Sequence, residues 1–170
     1  MKKRWIWFRL MVLIVPLLVA AGCGSGGQGA IQRTVENVAK AVEAGLHSRS
    51  LTEVEKYFAT AEEGDNEASL QETQQALRQF AASLTSQERI QFHRFDVESI
   101  EVHEDGGLAR VTYRLHFSIL RDSLVIYGAM MTQDLALVKT MRGWRISGGY
   151  SPQLSEVTGQ WPPRGAQGSQ

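Results

Sequence analysis

Residues 104–119 read EDGGLARVTYRLHFSI, and this stretch decides the fold. Asp105-Gly106 supplies the positive φ angles that a tight hairpin turn needs. After it, Ala109, Val111, Tyr113, Leu115, Phe117 and Ile119 alternate with Arg110, Thr112, Arg114, His116 and Ser118. A period of two describes a strand with one apolar and one polar face. Such a strand following a hairpin turn implies an antiparallel sheet covered on one side.

Upstream, a strand begins at about Gln91. Phe95 and Val97 alternate, then Ile100 and Val102 with opposite parity, so a bulge is expected near Glu98-Ser99. Downstream, Arg121-Asp122-Ser123 turns into a long strand from Leu124 to Thr140. Its more apolar set is Val125, Tyr127, Ala129, Met131, Gln133, Leu135 and Leu137, which puts Asp134 on the outer face. Met141-Arg142-Gly143 turns again, and Trp144 and Ile146 head a last strand ending near Tyr150.

Ahead of the sheet the apolar period lengthens. Ile31, Val35, Val38, Val42 and Leu46 mark one face of a helix from about Ala30 to His47. Ser50-Leu51-Thr52-Glu53 has the form of a capping box and opens a short helix to about Ala59. Residues 62–67 (EEGDNE) read as a solvated turn, because their spacing does not match a calcium loop. Leu70, Thr73, Leu77, Phe80 and Leu84 mark a third helix. The expected class is α+β, with three N-terminal helices packed on a curved, cone-like, four-stranded antiparallel sheet.

The two ends are of other composition. Met1-Lys2-Lys3-Arg4 is a basic head, Leu10–Gly22 is an apolar run, and small residues follow, the three-part plan of a secretory signal. The run is shorter than the ~20 residues of a membrane-spanning helix and contains Pro16. A retained anchor helix is the alternative. Gly24–Gly29 is glycine-rich and reads as a tether. The expected division is a signal over 1–22, a tether over 23–29, a folded domain over 30–151 and a disordered tail over 152–170. The chain carries 18 basic and 18 acidic side chains. Removing Lys2, Lys3, Arg4 and Arg9 with the signal leaves 14 against 18, a mildly acidic domain and a poor partner for nucleic acid. The single cysteine, Cys23, excludes an intrachain disulfide and a multi-thiolate zinc site.

Val19-Ala20-Ala21-Gly22-Cys23 resembles the lipobox of bacterial lipoproteins, with Ala20 where Leu is usual. The resemblance implies cleavage between Gly22 and Cys23, a diacylglycerol thioether on Cys23, export, and attachment to a membrane through that lipid. The order of helices and strands resembles the nuclear transport factor 2-like (cystatin-like α+β cone) family over about Ile31–Tyr150. The features that carry it are the short second helix, the long strand before Met141, and Leu137-Val138-Lys139 with Gly143-Trp144-Arg145-Ile146. The family includes isomerases, dehydratases and domains without a catalytic role, so the fold alone does not fix the function.

The expected pocket holds Tyr57, Tyr113, Tyr127, Gln133 and Trp144, with no carboxylate or histidine inside; a bulge in the third strand would turn Asp134 inward. No catalytic residue, metal ligand or cofactor is assigned. His47, His93, His103 and His116 have no ligand spacing, and no Gly-x-Ser-x-Gly elbow occurs. The stripe Arg110, Arg114 and His116 is a solvated face by default; the other reading is contact with a second copy or an acidic envelope partner. The expected function is that of a non-catalytic lipoprotein domain that binds a small apolar ligand or joins an envelope assembly. The alternative is an isomerase or dehydratase using a polar cone.

Overall fold

The computed structural model describes residues 25–63, 67–150 and 152–161. The signal segment, Gly22 and Cys23 lie outside the described residues. In chain order the elements are α1 (Ser25–Ser48), α2 (Thr52–Glu55), α3 (Glu67–Ser83), β1 (Glu88–Val102), β2 (Leu108–Arg121), β3 (Leu124–Thr140), β4 (Gly143–Gly149) and β5 (Gln153–Gly159). The class is α+β, as the two hydrophobic periods require.

The sheet runs β1-β2-β3-β4, antiparallel throughout. Tyr113 stands opposite Gln133 and Val111 opposite Leu135, so the apolar sets of β2 and β3 share a face. Pairing of β1 with β2 slips at Val97/Ser99, where the change of parity demanded a bulge, and again at Phe92/Arg94, where His93 is the extra residue. Asp122 and Ser123 both adopt positive φ, the backbone of a two-residue hairpin whose twist matches its strands.

Four expectations need correction. The sheet has five strands, because residues 153–159 of the supposed disordered tail pair with β3. The reason is length: β4 covers only Leu135–Thr140 of β3, leaving Tyr127–Thr132 as an open edge that β5 completes. Ser25–Gly29 of the supposed tether belongs to α1, where their carbonyls accept from the amides of the amphipathic segment that follows. The capping box does not form. Leu51 is the N-cap of α2 without a side-chain bond, Glu53 pairs with Lys56 at 2.6 Å, and α2 ends at Glu55. Finally, Val125 is exposed, because the slip at Ile119/Leu120 takes it off the apolar register.

Two apolar clusters form under the sheet. One joins Ile31, Val35 and Val38 of α1, Val54 of α2 and Phe58 to Val111, Leu137, Trp144 and Ile146. The other joins Leu46, Leu84 and Ile90 to Leu115, Phe117, Ile119 and Tyr127. After α2 the chain bridges to β4: Ala59 N donates to Ile146 O, and Ile146 N donates to Tyr57 O, each at 2.8 Å. That bridge closes one end of the cone.

Candidate functional site: an apolar cavity between helices and sheet

α1 packs on β1 and α3 on β4. Between these helices and the inner face of the sheet lies a cavity of about 570 Å³, lined by residues of both apolar clusters. α1 contributes Val35, Val38, Ala39, Val42 and Leu46 at successive turns of its apolar face, while β2 contributes Tyr113, Leu115 and Phe117 at alternate positions. The size lies within the range of small-molecule sites, and the pattern of mostly apolar walls with few polar groups is theirs as well.

The polar groups gather at one end. The Tyr113 hydroxyl donates to Gln133 Oε1 at 2.6 Å, and Gln133 Nε2 donates to the Tyr150 carbonyl at 2.9 Å. A carbonyl can only accept, so the amide nitrogen must face Tyr150 and the oxygen must face Tyr113. Burial pushes the Tyr113 hydroxyl well above its usual pKa, which keeps it a neutral donor. Thr73 of α3 stands nearby: a Cβ at Gly149 would lie 3.2 Å from its Oγ1 and 3.4 Å from Gln133 Nε2. The other end is aromatic. Trp161, just beyond β5, lies with its ring centroid 5.4 Å from Phe80 of α3 and 6.3 Å from Tyr127 of β3.

Of the expected pocket residues, Tyr113, Tyr127 and Gln133 line the cavity. Trp144 and Tyr57 do not: Trp144 is buried in the first cluster and Tyr57 packs against that cluster. Both sit at the end of the cone that α2 and Phe58 plug, so strand parity gave their side without giving their depth. Glu72 of α3 is a carboxylate in the lining, which the sequence reading omitted; it is exposed, so it belongs to the solvent edge. Leu154 and Trp161 also line it, which the Pro- and Gly-rich composition of the tail does not signal.

Asp134 stays on the outer face. It accepts from Arg110 Nη2 at 2.6 Å and from Thr112 Oγ1 at 2.7 Å. The Thr112 bond first, and then Arg110, hold its carboxyl below the usual range against the opposing effect of burial. Arg114 pairs with Glu98, and the Arg110 guanidinium also covers the Tyr150 ring at 4.6 Å. Two members of the basic stripe are thus occupied by cross-strand partners. Among the described residues no group of three or more His, Cys, Asp or Glu is arranged to hold a metal ion, and no helix is long and apolar enough to cross a membrane.

No protein-family model matches the chain, and no curated protein matches it in sequence. Solved structures do. A protein of Streptomyces avermitilis assigned as a dehydratase of the nuclear transport factor 2-like family is 16% identical, with 72% of this chain and 97% of that one covered, at a TM-score of 0.50. The intermembrane space region of the chloroplast protein ARC6 is 17% identical over 72% of this chain and 96% of that one, at 0.43. A protein of Novosphingobium aromaticivorans assigned as an aromatic ring hydroxylase is 16% identical over 78% and 96%, at 0.42. The Streptomyces structure supports the fold: this chain is an α+β domain of the nuclear transport factor 2-like architecture, with an apolar cavity inside its cone.

Proposed function

We propose that this protein is an exported, lipid-anchored binding protein that holds a small apolar molecule in the cone. The observation that carries the reading is the cavity itself: about 570 Å³, walled by α1, α3 and the sheet, with a single carboxylate, exposed, among the described residues of its lining. The acid–base chemistry of an isomerase or dehydratase needs a carboxylate or imidazole at the substrate, and Asp134 is held outside by Arg110 and Thr112. Anchoring rests on the basic head, the apolar run and the lipobox-like Val19–Cys23. Cys23→Ser should abolish acylation and release the protein from membranes. Mass spectrometry of the mature amino terminus reads this directly, and an unmodified Cys23 in the wild type would contradict it.

Binding is tested by titration with N-phenyl-1-naphthylamine, a neutral dye that fluoresces in apolar surroundings. The wild type should bind one dye saturably. Ala39→Phe, which grows into the cavity from α1, should lose that binding with little change in melting temperature. Equal dye binding by both proteins would place the dye elsewhere and sink the reading.

A further inference from the structure

We infer that the cavity selects an uncharged ligand with one head group that both donates and accepts hydrogen bonds, a hydroxyl or an amide, and discriminates against carboxylic acids. The inference rests on the binding role just proposed and names the class of molecule bound.

The first ground is the hydrogen-bond inventory at the polar end. Gln133 spends one amide hydrogen on the Tyr150 carbonyl, and its oxygen takes the Tyr113 hydroxyl. What remains is one amide hydrogen, a second lone pair on Oε1, a lone pair on the Tyr113 oxygen and the lone pairs of Thr73 Oγ1, whose hydrogen goes to the Ser69 carbonyl. A head group placed there meets a donor and acceptors together. A hydroxyl or amide answers both; an ionised carboxylate only accepts, and it would leave the acceptors facing its own negative oxygens.

The second ground is charge. Among the described residues lining the cavity there is no Lys, Arg or His. α1 and β1 present only apolar side chains to it, β2 adds Tyr113, β3 adds Tyr127 and Gln133, and Tyr150 follows β4. The one full charge is Glu72 on α3, of the wrong sign for an acid. Nearby cations are engaged elsewhere: Arg110 with Asp134 on the outer face, and Arg121 with Glu88. An ionised carboxylate entering this space would lose its hydration with no countercharge, and burial without a partner is strongly unfavourable.

The test is competition against bound N-phenyl-1-naphthylamine at pH 7.5 on the full mature protein, with 1-decanol, decanamide and decanoate as matched probes. The alcohol and the amide should displace the dye at least about tenfold more tightly than the acid. Gln133→Met keeps the length of the side chain and removes both donor and acceptor. It should weaken decanol about fivefold more than it weakens the dye, and saturable dye binding by the same variant shows the cavity intact. Displacement by decanoate as tight as by decanol, no displacement by any of the three, or an unchanged decanol affinity in Gln133→Met overturns the inference and leaves the cavity reading standing. Absence of saturable dye binding to the wild type overturns the cavity reading instead.

Discussion

Arg49 follows α1 in the left-handed region, at φ 60°. From there its guanidinium donates to the carbonyls of Leu84 at 2.9 Å and Glu88 at 3.1 Å, and also to that of Thr85. It ties the end of α1 to the end of α3 and the start of β1, where helix carbonyls lack intrahelical partners. Arg49→Ala and Arg49→Gly both remove these bonds, but only glycine adopts this backbone without strain. The glycine variant should be the more stable by about 1 kcal/mol in urea melts. Equality of the two would show that the turn relaxes. Glu88 is the buried acid beside this hub. It accepts from Arg121 Nη2 at 2.6 Å and from the Thr85 amide at 2.8 Å. Burial raises its pKa, but the Thr85 amide, Arg121 and lesser bonds outweigh this and leave it below the ordinary 4.5. A lowered folded pKa means stability that is present above about pH 4.5 and is lost as pH falls through the folded value. Melts across pH 7 to 3 should show Glu88→Gln less stable than wild type at pH 7 and the difference shrinking on acidification. A constant difference would mean that the carboxylate's charge plays no part. Thr85-Ser86-Gln87-Glu88 carries capping-box spacing, yet it closes a turn into a strand rather than a helix, so spacing alone did not reveal it.

The helical and strand periods were legible because each element is half buried: α1, α3, β2 and β3 repeat their apolar residues every turn or every second position. β5 was not legible. All seven of its residues are exposed, so burial left no pattern, and its place is set by the unpaired length of β3 rather than by its own side chains. Its anchors are two residues. Gly159 has φ 76°, and a Cβ there would collide with the Ile126 carbonyl. Trp161 meets Phe80 and Tyr127. Trp161→Ala should cost about 2 kcal/mol, below the 3–5 of a fully buried aromatic because Trp161 keeps partial exposure. Hydrogen exchange should report faster opening of β5 in this variant than in wild type, with β2 unchanged. A silent Trp161→Ala would return the segment to the status of a loose tail.

For the whole molecule, the sheet decides which side chains face the helices, and the packing of α2 and Phe58 decides how far the interior is filled. Strand parity puts Tyr113, Tyr127 and Gln133 on the inner face, where they line the cavity, whereas Trp144 and Tyr57 lie at the plugged end. Depth along a cone depends on contacts such as the bridge of Phe58 to Ile146, distant in sequence, which periodicity does not encode. In the proposed function a ligand occupies the open part of the cone. Native mass spectrometry of the protein isolated from the cells that make it, beside Ala39→Phe prepared identically, reads this. The wild type should carry one noncovalent small molecule per chain that mild activation releases, and the variant should be empty. A wild type that stays bare, even after incubation with a lipid extract of those cells, would contradict occupancy of the cone.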